Sequence, residues 1–176
     1  SARPRVIEFA RCGPPCGRGE DVSVVFDLMI HDLDIARFFG FGRPQSFAAC
    51  GDRHETIATL VFADGARCSF TASRRSEARR RLLRLAYDDG EIEIDFVARR
   101  VVDTTPGALR DRSGLIEQAF ADPLAKSVEA FFASVLDGAR TMVDGKAGRA
   151  AIDWASAIER ERDALAVAGQ ADRMIA

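Results

Sequence analysis

The chain has 176 residues, a net charge of −2, and 47% apolar against 30% charged side chains. That balance suits one globular domain with a substantial core; it offers no basic field for nucleic acid, and no apolar run approaches the roughly 20 residues of a membrane span. Four cysteines dispersed through a chain too large to need disulfide staples read as reduced thiols in a cytoplasmic setting.

The N-terminus SARPRVIEF has neither an initiator methionine nor a signal-peptide apolar block, and it reads as a processed or excised piece. Arg5 to Arg11 alternate apolar and polar residues, the period of a strand, and CGPPCGRGED then breaks regular structure. Asp21 or Ser23 can cap a helix that runs to about Gly40, where Gly40, Gly42 and Pro44 end it.

From Gln45 the period falls to two, and SFAACGD, ETIATLVF, ARCSFTAS, RRLLRLAY and EIEIDFVA read as successive strands. Asp64-Gly65 and Asp89-Gly90 mark hairpin turns. In the last strand Glu91, Glu93 and Asp95 share one face and Ile92, Ile94 and Phe96 the other, so the sheet has an apolar face to cover. After the irregular, polar stretch from Asp103 to Gly114, two helical patterns can supply that cover: DPLAKSVEAFFASVLDG, with Asp122 as cap and Pro123 at the first position, and KAGRAAIDWASAIERERDALAVAG. The expected fold is a single α+β domain over residues 1–176, an open, largely antiparallel sheet of about six strands with helices packed on one face. The uncovered face is expected to form a homo-oligomer.

In the first helix the spacing places Asp27, His31 and Asp34 on one stripe, beside the apolar stripe of Val24, Leu28, Ile35 and Phe38. A histidine with a carboxylate one turn away can act as a general acid or base, and Asp27 with His31 is the leading candidate pair. The pattern alone leaves open a structural histidine that bridges helices, with Asp32 and Asp34 solvated. A metal site is not expected, because the other histidine, His54, lies apart in the polar turn GDRHE. Cys12 and Cys16, spaced by four, lack the paired C-x-x-C pattern of zinc sites. GRGED and GFGRP begin like a dinucleotide fingerprint, but neither completes it after a strand and before a helix. The arginines of SRRSEARRR could bind phosphate; without interleaved aromatics they read rather as a solvated loop.

The helix DVSVVFDLMIHDLDIARFFG resembles the D-x-x-x-H-D-x-D helix of the glucose-fructose oxidoreductase and inositol dehydrogenase (Gfo/Idh/MocA) family. The strand ending in FARCGPP, the run of antiparallel strands and the closing SVEAFFASVLDGARTMVDGKAGRAAIDWASAIERE extend the likeness to that family's C-terminal domain over nearly the whole chain. The resemblance implies an oxidoreductase that uses NAD or NADP, held mainly by an N-terminal Rossmann domain absent from these residues. The family's Glu-Lys-Pro lysine has no counterpart, since Lys126 and Lys146 follow Ala and Gly. It also implies a small-molecule sugar or sugar-nucleotide substrate. Asp27 and His31 carry over as the family's proton-transfer pair and Arg11 as a residue that approaches substrate; the piece alone is expected to be inactive. The competing reading is a non-catalytic binding or oligomerisation module that retains the fold.

Overall fold

The computed structural model describes residues 3–17, 19–106, 117–118, 120–141 and 143–175. Its sheet has seven strands, β1 (Val6–Cys12), β2 (Ser46–Gly51), β3 (Glu55–Val61), β4 (Arg67–Ser73), β5 (Arg80–Tyr87), β6 (Gly90–Asp95) and β7 (Arg100–Asp103), in the order β2-β3-β4-β1-β5-β6-β7. β1 runs parallel to β4, and every other pairing is antiparallel. The open, largely antiparallel α+β arrangement is therefore as expected, with one strand more. The added strand, β7, is four residues that complete a meander against β6, too short to leave a periodic signature. The irregular stretch expected from Asp103 onward lies outside the described residues from position 107.

The two hairpins form where the turn residues stand. Gly65, at φ +82, closes β3–β4, while Asp88 and Asp89 form the loop of β5–β6 because Tyr87 and Gly90 already pair. β2 ends at Gly51, whose φ of +111 and approach to Glu55 exclude any side chain: a Cβ there would lie 2.2 Å from the Glu55 carbonyl oxygen.

One sheet face carries Ile7, Phe9, Ala58, Leu60, Cys68, Phe70, Leu83 and Leu85, all buried. Phe9 and Phe70 stack across β1 and β4 with ring centroids 5.0 Å apart. The cover is a π turn (Val25–Met29) that runs into α1 (Ile30–Arg37), together with the long α3 (Gly145–Ile175). Val24, Val25, Met29, Leu33 and Ala36 face the core from the first segment, and Ala151, Trp154, Ala155 and Ile158 from α3. Fully burying each large side chain stabilises the fold by about 1.5–3 kcal/mol.

The buried stripe differs from the one expected. Val25, Met29, Leu33 and Ala36 point inward, a stripe one position on from the expected one, while Phe38 is 57% exposed and Leu28 and Ile35 are half-buried. The second helical pattern also departs. α2 (Pro123–Leu136) forms as its cap dictates, with the Ala125 N–H donating to Asp122 Oδ1 at 2.9 Å and Pro123 in the first turn, but it buries none of its residues. The sheet is covered by the first helix and α3 instead. The opposite face carries the Arg84 ion pairs with Glu8 (2.7 Å) and Glu91 (2.5 Å) and leaves Ile57 47% exposed. No helix of the described residues is long and apolar enough to cross a membrane.

Because Ile158 is fully buried where α3 meets the sheet, Ile158→Ala is expected to destabilise the fold by roughly 2–5 kcal/mol in urea unfolding. A cost within a few tenths of a kcal/mol would mean that α3 is not part of the cooperative core.

Candidate functional site

Because β1 and β4 are parallel, their C-terminal ends finish together, with Cys12 beside Ser73. The start of the antiparallel β5 joins them, with Arg81 opposite Arg11. Loops 13–17 and 74–79 thus leave the sheet at the same end. Between them and the π turn lies a cavity of about 390 Å³ lined by residues that include Arg11, Cys12, Asp27, Leu28, Arg74, Glu77, Arg79 and Arg81.

Two ion pairs build its wall. Arg11 donates from Nη2 and Nε to the two oxygens of Asp32 at 2.6 and 3.0 Å, a bidentate pair in which the side chains are only 13% and 8% exposed. The pair ties the central strand to α1. Arg74, 5% exposed, donates to Asp27 Oδ2 at 2.8 Å and to the Val22 carbonyl at 2.9 Å, holding the π turn against the end of β4. Gly19 packs against the same carboxylate, since a Cβ there would lie 3.2 Å from Asp27 Oδ2.

Of the three expected site residues, Asp27 and Arg11 line this cavity; His31 lies one turn further along the same helix, exposed, and is not among the lining residues. The partner of Asp27 is Arg74 rather than a helix neighbour. Asp32, solvated in the structural-histidine alternative, is 6% exposed and holds Arg11. The solvated-loop reading of SRRSEARRR holds for the exposed Arg75 and Arg80, but Arg74 is buried, and the exposed Arg79 and half-buried Arg81 line the cavity. Five arginines within eight residues was a signal; which strand end they meet was not encoded locally.

Burial raises the pKa of Cys12, with the Arg80 charge opposing it, and burial pushes Cys68 up to about 12, so neither thiol has the depressed pKa of a nucleophile. Among the described residues no three His, Cys, Asp or Glu side chains gather as a metal site. The cavity therefore offers charge and hydrogen bonding: guanidinium donors, one carboxylate pinned by Arg74, and an imidazole on the adjoining turn.

No protein-family model matches the chain. The UDP-N-acetylglucosamine 3-dehydrogenase of Acidithiobacillus ferrooxidans is 29% identical over 158 residues, covering 83% of this chain and 50% of the relative. A solved structure described as UDP-N-acetylglucosamine 3-dehydrogenase GnnA from Acidithiobacillus ferrooxidans superposes with a TM-score of 0.75 at 26% identity, over 93% of this chain and 55% of the other. The chain resembles the C-terminal domain of the Gfo/Idh/MocA oxidoreductases. This Gfo/Idh/MocA-like chain spans about half the length of the curated relative it matches, 50%. Its fold is also that of the WlbA dehydrogenase from Bordetella pertussis in complex with NADH and UDP-GlcNAcA, with TM-score 0.77, 12% identity and 91% and 54% coverage. The myo-inositol 2-dehydrogenase from Lactobacillus plantarum shares it as well, with TM-score 0.68, 17% identity and 92% and 55% coverage.

Removing one partner of a buried pair leaves the other charge stranded, so Asp32→Asn is expected to cost roughly 3–5 kcal/mol of stability. Arg11→Met should cost less, because Arg81 remains near Asp32, whereas Asp32→Asn leaves Arg11 facing Arg81 across the sheet. Urea unfolding of both variants checks this; the reverse order would show that repulsion from Arg81 does not matter.

Proposed function

We propose that the chain is the substrate-binding and catalytic half of an NAD(P)-dependent dehydrogenase of a sugar or sugar nucleotide. The observation that carries this reading is the convergence, at one end of the sheet, of the Asp27–His31 helix and an arginine-lined cavity, in a chain similar to a sugar-nucleotide dehydrogenase.

In this reading His31 exchanges a proton with the reacting hydroxyl. Asp27, held in one orientation by Arg74, positions the substrate beside it. Asp32 takes Nε and Nη2 of Arg11, and Nη1 is the donor left for a substrate oxygen in the cavity that Arg11 lines. The donors are fixed before substrate arrives, so ordering them does not subtract from binding.

The described residues do not fit the dinucleotide itself. A pyrophosphate cradle is a glycine-rich turn that opens a helix N-terminus. Here Gly40 and Gly42 follow the C-terminal end of α1, and Gly19 packs against the Asp27 carboxylate, which would repel phosphate. In the proposed enzyme NAD or NADP is held mainly by an N-terminal Rossmann domain. In this proposal homo-oligomerisation uses the open sheet face, where Ile57 and the Glu8–Arg84–Glu91 cluster lie uncovered by helices.

A second reading, a non-catalytic module, is favoured by one observation: among the described residues His31 makes no hydrogen bond or ion pair, and Asp27 is engaged by Arg74. Kinetics of the full enzyme, cofactor domain attached, separates the two. His31→Ala is expected to lower turnover by roughly 10²- to 10⁴-fold and Asp27→Asn to impair it, with His54→Ala as the unaffected control. Near-normal turnover of His31→Ala would favour the non-catalytic reading. Light scattering of the 176-residue chain is expected to give a dimer or larger species; a 19.2 kDa monomer at high concentration would remove the oligomer proposal.

A further inference from the structure

Four arginines line the cavity against two carboxylates, Asp27 and Glu77. Two of the arginines are accounted for, Arg74 by Asp27 and Arg11 by Asp32. Arg79 and Arg81 pair with no carboxylate among the described residues. Arg81 stands directly opposite Arg11 in the β1–β5 register, where like charges destabilise a sheet. Burial, then the charges of Arg11 and Arg79, holds the pKa of Arg81 below the usual guanidinium value, with Asp32 the opposing influence. Three guanidiniums thus crowd one end of the cavity with a single carboxylate among them. Such an arrangement suits a counter-ion that arrives from solution.

We propose that Arg79 and Arg81 form an anion subsite that takes the diphosphate of a nucleotide-linked sugar. This rests on the dehydrogenase reading above for what occupies the Asp27 end of the same cavity. A sugar carboxylate would meet one guanidinium as a fork, which is the way Asp32 already meets Arg11. Two adjacent unpaired guanidiniums instead match the two charged phosphoryl groups of a diphosphate diester, and the lining's excess of two arginines over carboxylates matches its charge. The cavity, about 390 Å³, falls within the range of small-molecule sites and leaves room for a sugar beside the diphosphate.

The test uses the 176-residue chain with inorganic pyrophosphate, UDP and glucuronate as probes, in calorimetry and thermal melts at low ionic strength. Pyrophosphate and UDP are expected to bind and, at about a hundredfold over Kd, to raise Tm by roughly 5–10 °C. Arg79→Ala and Arg81→Gln should each weaken that binding by roughly 10- to 100-fold, the usual worth of a hydrogen bond to a charged group. Arg75→Ala should not, because Arg75 is exposed, pairs with Asp52 and does not line the cavity. Without anion, Arg81→Gln should melt no lower than the unsubstituted chain, since it removes a charge facing Arg11. No binding of pyrophosphate or UDP, or binding that both variants retain, overturns the subsite. Glucuronate binding alone, lost in the same variants, overturns the diphosphate in favour of a sugar carboxylate. Arg81→Gln melting lower while keeping the anion-induced rise would make Arg81 a packing residue and overturn its assignment. The readout is binding rather than turnover, so His31→Ala could defeat the dehydrogenase reading and leave this result standing.

Discussion

The ion pair between Arg11 and Asp32 joins the central strand to the helix that carries the candidate site, and the rest of the site is arranged around it. Both partners are largely removed from water, and the bidentate geometry fixes rotation as well as distance. With that pair in place, the turn before α1 sits over the ends of β1 and β4, where Arg74 can reach Asp27. A buried pair of this kind adds little net stability over an apolar contact of similar volume. What it supplies is position: of the orientations in which an apolar helix could rest on the sheet, it selects the one that turns Asp27 toward the cavity.

The parallel pairing of β1 with β4 has a comparable effect on charge. In a sheet built only of hairpins, the loops after Cys12 and after Ser73 would leave from opposite ends. Here they leave from one end, and the start of β5 brings Arg79 and Arg81 to the same place. An arginine run that is unremarkable as a surface loop becomes one wall of a cavity because a strand distant in sequence lies beside it. The result is local repulsion at Arg81, set within a fold whose net charge is close to neutral.

The first helix turns Val25, Met29, Leu33 and Ala36 inward, one position on from the stripe of Val24, Leu28, Ile35 and Phe38. Asp32 lies between Leu28 and Ile35 on the helix surface and is buried beside Met29 and Leu33. There its carboxylate is held by Nε and Nη2 of Arg11. His31 faces outward, on the turn next to the cavity rather than against the core.

The sequence by itself determined the local features: strand alternation, the Asp64-Gly65 turn, the Asp122-Pro123 helix start and the α+β class, because each depends on residues within a few positions of one another. The helix motif also marked Asp27 and His31, and the family resemblance added Arg11; the structure puts Asp27 and Arg11 on one cavity with His31 on the adjoining turn. Only the tertiary structure decided which charges pair. Asp32 with Arg11 spans 21 positions and Asp27 with Arg74 spans 47, so helical spacing could suggest neighbours on the same helix but not partners across the fold. The exposure of α2 was likewise illegible, since its pattern records only that one helix face is apolar, while whether anything packs there depends on how the sheet's cover is shared among the helices.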